Sequence, residues 1–316
     1  WRAIPRSHPV NRSGRAPEPD RCPLMTTKPR LFRQLIESPS TEFVCHAYDA
    51  LSARIVEEAG FKGIWAGGLG ISSAMGVRDN NELSWTQTLE IVEFMCDATQ
   101  VPIMLDADTG YGDFNTARRL VAKLEHRGVA AMCIEDNLFP KTNSLLELQM
   151  PLASSAEFAG KIRAVKDTQK DPDFCVIARV QAFIAGLGLE EALRRAHAYR
   201  DAGADAIFIH SNKPGPEEIL SFLTEWKNAL PVIIVPTMFY RTPTSVWEEA
   251  GVSMIIWANH ILRANILTMK SIAAELFEKK SLLSIEEKVA TLKEVFRLSN
   301  MPELREAEKR YLPEIS

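Results

Sequence analysis

The sequence predicts an α/β protein folded as a single (β/α)8 TIM barrel with a carboxy-terminal helical extension. Four segments repeat one unit, in which a helix ends at a glycine and an apolar strand follows: VEEAGFKGIWAGG, LEHRGVAAMCIED, YRDAGADAIFIHS and WEEAGVSMIIWAN. Four more apolar runs fit between these segments, and eight strand and helix units in about 230 residues are typical of a closed barrel. A doubly wound open sheet is the alternative, although no glycine-rich phosphate loop follows the first strand.

The individual elements follow from strand and helix signals in chain order. We expect strands near residues 43, 63, 102, 131, 175, 206, 232 and 253. Glycine tolerates the left-handed conformation at a helix end, which explains the repeated Gly60, Gly128, Gly203 and Gly251. The stretch SWTQTLEIVEFMCDAT begins with a capping box from Ser84 to Gln87. Residues 281–299 in the helical tail carry more apolar positions than one surface helix needs, which predicts a contact between subunits.

The composition is that of a soluble globular protein. The chain has 316 residues, 46% of them hydrophobic and 25% charged, with a net charge of -4. This charge does not indicate nucleic-acid binding, and no apolar run approaches the roughly 18 residues of a membrane span. We expect residues 25–316 to form one domain. Residues 1–24, which are rich in Arg and Pro, are expected to be disordered, as a cloning remnant or translated upstream region in preference to a transit peptide.

The cysteines are scattered along the chain without a CxxC pair. Three of them lie in apolar runs that read as strands, as buried free thiols do. They indicate a reducing, cytoplasmic setting. The five are Cys22, Cys45, Cys96, Cys133 and Cys175.

Polar residues follow the predicted strands at their carboxyl ends, where the loops of such a barrel form one mouth. In VPIMLDADTGYG, Asp106 and Asp108 are two residues apart and would project together from the strand. Two like charges so close repel unless a cation lies between them. The candidates at the strand ends are Trp65, Gly67, Gly68, Asp106, Asp108, Glu135, Asp136, Arg179, His210, Thr237, Asn259 and His260.

Asp106, Asp108 and Glu135 together predict a metal site. Ligands that are all oxygen favour Mg²⁺, with Mn²⁺ as the alternative. Simpler roles stay open for the aspartates, because Asp106 could cap the next helix and Asp108 could form a turn with Gly110.

Arg179 lies in an otherwise apolar strand, where an unpaired guanidinium would be costly. It predicts either a structural salt bridge with Glu135 or the binding of an anionic substrate. His210 is either a satisfied core residue or part of the same site. A metal on one side and Arg179 on the other suit a small oxyacid with several negative charges.

The long polar loop EDNLFPKTNSLLELQMPL, residues 135–152, predicts a lid over this mouth. Lys141, Asn143 and Ser144 would bring a cation and neutral donors over a substrate. A solvated surface loop is the alternative.

The segments FKGIW, GVRDNNELSWTQ, DADTGYG, ED with FPKTNS, IARVQAFIAG and PTMFYRTPT resemble the phosphoenolpyruvate mutase family of the isocitrate lyase superfamily. The similarity runs over residues 30–313. The resemblance implies interconversion of phosphoenolpyruvate and phosphonopyruvate, the step that forms a carbon–phosphorus bond in phosphonate biosynthesis. It also implies a homotetramer in which neighbouring barrels exchange a carboxy-terminal helix.

The resemblance further implies roles for single residues. Mg²⁺ would be bound directly by Asp106 and through water by Asp79, Asp108 and Glu135. The implied catalytic residues are Asp79, Lys141, Asn143, Arg179 and His210. The implied substrate contacts are Trp65, Gly67, Gly68, Leu69, Asn143, Ser144 and Arg179.

The chain departs from the family pattern at three places. Asn137 stands where a lysine is usual, Gly67 where many members have serine, and LELQMPL lacks a common glycine and arginine. The competing functions are a phosphonopyruvate hydrolase, which would have threonine at Asn143, and a carbon–carbon lyase or decarboxylase acting on a 2-oxo or 2-hydroxy acid. The superfamily lyases commonly have a lid cysteine, which KTNS lacks. A non-catalytic metabolite-binding barrel is the remaining alternative.

Overall fold

Eight parallel strands close into a barrel, as the sequence predicts. The computed structural model describes residues 27–144 and 151–313. Each strand pairs with the next along the chain, and β8 pairs with β1, so the sheet has no open edge and the doubly wound alternative is wrong. The strands β1 to β8 are Glu42–Ala47, Ile64–Ala66, Ile103–Asp106, Ala131–Glu135, Cys175–Val180, Ala206–Ile209, Val232–Ile234 and Met254–Trp257.

Helices surround the barrel and continue beyond it. The four repeated glycines have φ values between 72° and 100°, so they do occupy left-handed positions after helices. The capping box at the start of α4 is present, with Ser84 and Gln87 bonded to each other's backbone amides. The helices α1 to α12 are Lys28–Ile36, Ala50–Glu58, Gly68–Ala74, Trp85–Ala98, Phe114–His126, Ser155–Thr168, Gly188–Asp201, Glu217–Trp226, Thr244–Glu249, His260–Lys279, Leu292–Leu298 and Met301–Tyr311.

Strand side chains alternate between two apolar layers. One set points into the barrel, where it forms a cluster that includes Val44, Met104, Ile177 and Phe208. The intervening residues, such as Leu105, pack outward against the helices in a larger cluster. Helix α1 contributes its apolar residues to the inner cluster. This alternation decides which residues at the strand ends face the mouth of the barrel.

The carboxy-terminal tail is helical but interrupted. Residues 281–299, predicted as helical, contain only the 3-10 turn Glu286–Lys288 and helix α11, because Lys280 ends α10 in a left-handed conformation. Helix α11 lies against α2, where Arg297 forms an ion pair with Glu58 at 2.7 Å. The apolar surplus of the tail is exposed in the single chain, at Leu267, Phe277, Leu283, Leu292, Val295, Phe296, Leu304, Tyr311 and Leu312.

The cysteine prediction is confirmed where it can be checked. Four cysteines are buried and free, and Cys22 lies outside the described residues, as do residues 1–24 of the predicted disordered segment. None of the described helices is long and apolar enough to cross a membrane.

Candidate active site

The polar side chains that the sequence predicts for the site belong mostly to the inward series of the strands. Asp106 follows Met104 by two residues, Arg179 follows Ile177, and His210 follows Phe208, so all three continue the interior alternation to the carboxyl ends of the strands. Glu135 lies directly beside Arg179 in the register of β4 and β5. The strands therefore place the side chains of Asp106, Glu135, Arg179 and His210 around one cavity.

This cavity collects most of the predicted site. Its walls include Trp65, Gly67, Leu69, Asp79, Asp106, Glu135, Lys141, Asn143, Ser144, Arg179, His210, Thr237 and Asn259. Gly68 and Asp108 lie just behind the wall, since a side chain at Gly68 would begin 3.2 Å from both Asp108 Oδ1 and Lys141 Nζ.

Two of the candidates at the strand ends lie elsewhere. Asp136 belongs to the outward series and accepts hydrogen bonds from Arg195 at 2.9 Å and Tyr199 at 2.6 Å, so it holds β4 against α7. His260 begins α10 and is exposed.

The turn after β3 gives the two aspartates different surroundings. Asp106 accepts a hydrogen bond from the Gly68 amide at 3.3 Å, and helix α5 is capped by Asp113, so a capping role for Asp106 is wrong. Asp108 has a φ of 51°, and the Gly110 amide bonds to the Ala107 carbonyl at 2.8 Å. The turn predicted at Asp108 is therefore present, and it places a buried carboxylate beside the cavity.

The cation between the carboxylates in this structure is the Lys141 ammonium. It forms ion pairs with Asp108 and, at 2.8 Å, with Asp79. Burial alone would lower the pKa of Lys141, but the surrounding carboxylates raise it well above its usual value. Burial, with the charges of Asp106 and Asp79, raises the pKa of Asp108 to about 7 even though Lys141 opposes that change. The cluster contains three carboxyl groups, of Asp79, Asp106 and Asp108, and one ammonium group, of Lys141.

Three asparagines, Asn80, Asn81 and Asn143, tie the lid to the loop that follows α3, and Asn80 does so by donating to the Lys141 carbonyl oxygen. Asn143 donates to Asp79 at 2.6 Å. Asn81 donates to Asp108 at 2.6 Å and accepts from the Lys141 amide at 2.7 Å. These bonds bring the described start of the lid, residues 135–144, over the cavity. Residues 145–150, and with them most of LELQMPL, lie outside the described part of the chain.

Glu135 is bonded through both of its oxygens. Asn137 donates to Oε1 at 2.8 Å and Gln181 donates to Oε2 at 2.7 Å. The Nε of Arg179 lies 3.5 Å from Oε2. The predicted salt bridge is thus present as an ion pair, at a separation too long for a strong hydrogen bond.

Arg179 is anchored by other groups on the far side of the guanidinium. Its NH2 lies 3.1 Å from the Ser144 hydroxyl and 2.8 Å from Nδ1 of His210, and the guanidinium carbon lies 4.9 Å from the centre of the Phe208 ring. A guanidinium only donates, so Nδ1 of His210 accepts. Burial and the Arg179 charge lower the pKa of His210 well below its usual value. The shorter of two contacts of Nδ1, 2.8 Å to Arg179 against 3.3 Å to the Gln181 carbonyl oxygen, favours the neutral tautomer with its proton on Nε2.

His46, at the end of β1, lines the cavity and was missed from the sequence. It continues the inward series from Val44, which is the signal that could have found it. Its ring lies against two glycines: a side-chain carbon at Gly67 would begin 2.6 Å from Cδ2, and one at Gly70 2.3 Å from Cε1. Burial lowers the pKa of His46 to about 4.

The residues present fit a divalent cation in chemistry. Within residues 27–144 and 151–313, no three His, Cys, Asp or Glu side chains are grouped to ligate one ion directly. The cavity nevertheless carries acid oxygens from Asp79, Asp106 and Glu135, with Asp108 behind them, and two buried cations, Lys141 and Arg179. Mg²⁺ keeps several water ligands and needs few direct carboxylates, so one direct ligand with others acting through water suits this arrangement.

Comparison with known proteins identifies close relatives. Residues 32–277 match the phosphoenolpyruvate phosphomutase family. A phosphoenolpyruvate phosphomutase from Tetrahymena pyriformis is 56% identical over 288 residues, which cover 91% of this chain and 96% of the relative.

Solved structures share the fold over nearly the same length. The phosphoenolpyruvate phosphomutase of Streptomyces platensis subsp. rosaceus superposes with a TM-score of 0.88 at 42% identity, covering 90% of this chain and 99% of the other. A phosphonopyruvate hydrolase in complex with oxalate and Mg²⁺ superposes with a TM-score of 0.86 at 34% identity, covering 91% of this chain and all of the other.

Proposed function

The chain belongs to the phosphoenolpyruvate phosphomutase family, and on that premise we propose that it interconverts phosphoenolpyruvate and phosphonopyruvate. The observation that carries the proposal is the single cavity in which the acid cluster of Asp79, Asp106 and Glu135 faces Arg179 and His210. A substrate with a carboxylate, an enol oxygen and a phosphoryl group needs cationic and neutral donors on one side and a metal on the other. This cavity offers that combination.

We assign the metal role to the acid cluster. Mg²⁺, or Mn²⁺ in its place, would be bound directly by Asp106 and through water by Asp79, Asp108 and Glu135. When bound, the ion would stabilise negative charge on the pyruvyl oxygens. The excess of carboxylates in the cavity and the Mg²⁺ complex of the hydrolase relative support this assignment.

Arg179 and His210 would hold the pyruvyl end of the substrate. The guanidinium remains charged at every relevant pH, and the neutral His210 offers its Nε2 proton to an oxygen without transferring it. The Ser144 hydroxyl already contacts Arg179 and would reach the same group. Trp65, Gly67 and the backbone amides of Gly68 and Leu69 would complete the pyruvyl contacts.

Asn143 and Lys141 would act on the migrating phosphoryl group. In the reaction the phosphorus–oxygen bond of phosphoenolpyruvate breaks and a phosphorus–carbon bond forms, which depends on positioning and electrostatics. A neutral amide orients phosphoryl oxygens without being an efficient nucleophile. Water must be excluded because it would capture the group, and the contacts of Asn143 and Lys141 with Asp79 hold the lid over the cavity.

Phosphorus NMR of the protein with phosphonopyruvate and Mg²⁺ tests the proposal. We expect phosphoenolpyruvate as the product. Inorganic phosphate would indicate a phosphonopyruvate hydrolase instead, and unchanged phosphonopyruvate would favour the lyase, decarboxylase or binding-protein alternatives.

We also propose a homotetramer and a reducing, cytoplasmic setting. The exposed apolar side chains of the tail support an intersubunit contact, including exchange of a carboxy-terminal helix between barrels. The four buried free thiols support the reducing setting.

A further inference from the structure

We propose that Asn137 and Gln181 form an amide clamp, a pair of positioning residues that fixes the Glu135 carboxylate for a divalent cation. The inference rests on the metal assignment of the proposed function. It explains why two neutral amides are buried against one acid at the mouth of the barrel. It also gives a role to Asn137, one of the positions at which the chain departs from the family pattern.

The geometry places one amide on each oxygen of Glu135. Asn137 reaches Oε1 at 2.8 Å from the start of the lid, and Gln181 reaches Oε2 at 2.7 Å from the loop after β5. All three side chains are buried. A carboxylate bonded through both oxygens cannot turn about its terminal bond without losing a hydrogen bond. Its orientation in the cavity is therefore fixed.

The orientation of the amides follows from the acid. An ionised carboxylate only accepts, so both amides must present their NH2 groups to Glu135. As a result the Asn137 carbonyl oxygen is buried without a hydrogen-bond partner among the described residues. A buried polar atom of this kind is costly and needs an explanation. The contact with Glu135 supplies an explanation, because the NH2 group of Asn137 must face the carboxylate and this orientation leaves the carbonyl oxygen of Asn137 without a donor.

The clamp orients the acid without neutralising it. Asparagine and glutamine carry no charge, and the Arg179 Nε is 3.5 Å from Oε2. A lysine side chain at either place would add a positive charge beside the carboxylate. Neutral donors instead leave the negative charge of Glu135 available, as partners that orient metal-binding carboxylates do.

Both members of the clamp are themselves held by the backbone. Asn137 forms a β-bridge with Leu152, which joins the two ends of the lid. The backbone N–H of Gln181 donates to the Asp136 carboxylate at 2.9 Å. Asp136 in turn is held by Arg195. The clamp therefore connects the lid base and the outer helical layer to the metal-facing acid.

Metal affinity tests the clamp directly. Titration calorimetry with Mg²⁺, without substrate, would compare the unaltered protein with Gln181→Met and Asn137→Leu, which have nearly the same volume and no amide. Each variant should bind Mg²⁺ about tenfold more weakly, the lower end of the effect seen when such partners are removed. The matched control is Gln169→Met. Its amide donates to Asp171 and Phe174 before β5, and its carbonyl oxygen is likewise buried without a partner, so the metal affinity should not change.

The outcomes separate the clamp from the proposed function. If the unaltered protein binds Mg²⁺ and either folded clamp variant binds it within about twofold of that affinity, the clamp is overturned and the metal assignment stands. If the unaltered protein binds no Mg²⁺, the metal assignment itself is overturned and the clamp with it. Circular dichroism of each variant before titration establishes that it is folded, and either clamp variant alone suffices for the test.

Discussion

Replacing Gly67 with serine should destabilise the protein because of His46. Gly67 has a φ of -87°, so its backbone does not require glycine. The lack of space around Gly67 does require glycine. A side-chain carbon there would begin 2.6 Å from Cδ2 and 2.9 Å from Nε2 of His46, and 2.9 Å from Nε1 of Trp65. Ordinary contacts between such atoms lie near 3.5 to 4.0 Å. The substituted side chain would overlap the imidazole by about an ångström.

The imidazole has little room to yield. The same ring lies over Gly70 and packs beside Tyr48, with ring centres 5.7 Å apart, and it is buried. Overpacking of a confined site typically costs 1–3 kcal/mol, and the two close approaches to one ring favour a cost of about 2 kcal/mol. For a denaturant dependence of about 3 kcal/mol per molar urea, the unfolding midpoint should fall by roughly 0.7 M.

A double-mutant cycle isolates the contact. His46→Ala removes the ring and has its own cost, but in that background Gly67→Ser should cost about 1 kcal/mol or more less than in the parent protein. The control is Gly160→Ser in α6, where the nearest atom to a new side-chain carbon is Arg163 NH2 at 3.8 Å. We expect no loss of stability there, because serine has a better helix propensity than glycine.

Urea unfolding followed by circular dichroism measures these differences. All variants are compared at one protein concentration, since subunit association would make the midpoint depend on it. An unchanged midpoint for Gly67→Ser would refute the steric argument. Equal costs of Gly67→Ser in the two backgrounds would show that His46 is not the obstacle.

Four further predictions concern pH, metal, lid and assembly. Because burial lowers the pKa of His46 to about 4, the unfolded state takes up the His46 proton at higher pH than the folded state does; the contribution of His46 to stability should fall by roughly 3 kcal/mol as pH drops from 6.5 to 4, measured as the difference between urea titrations of the parent protein and of His46→Gln. Activity should vanish with EDTA and return with Mg²⁺ or Mn²⁺, and Asp106→Ala should abolish it while leaving the circular dichroism spectrum intact; full activity in excess EDTA would contradict the metal assignment. Asn143→Ala should lose at least about tenfold in turnover, about 1.4 kcal/mol, and Asn143→Thr should raise the share of phosphate seen by phosphorus NMR; parental turnover by Asn143→Ala would remove the lid from the chemistry. Light scattering should give a tetramer, and a monomer at micromolar concentration would contradict the intersubunit role of the tail.

The sequence predicts the barrel because its signals are local. A glycine that ends a helix and a four-residue apolar run act within a few positions, and their repetition fixes the alternation of helix and strand. Period-two alternation then assigns Asp106 and Arg179 to the interior. The same rule applied to every strand would have added His46 and Gln181 and moved Asp136 to the helical layer.

Contacts between distant loops could not be predicted in this way. Asn81 and Lys141 are 60 residues apart, and nothing in either local sequence shows that they meet. The tail posed a different problem, because its apolar residues suggested a continuous helix. Lys280 ends α10, and the apolar residues Leu282, Leu283, Ile285 and Val289 lie outside the α-helices, whereas those from Leu292 onward lie mostly in α11 and α12.

The charges in the cavity explain why two aspartates stand together after β3. Among the residues that the structure describes, Asp79, Asp106, Asp108 and Glu135 face two cations, Lys141 and Arg179, which leaves two negative charges uncompensated if all the acids are ionised. Burying that excess would be costly, and the raised pKa of Asp108 expresses the cost. One divalent cation would balance it. Lys141 belongs to the proposed lid, so opening of that lid would break its two ion pairs and increase the excess. Closure of the proposed lid and binding of the proposed metal would therefore relieve the same repulsion.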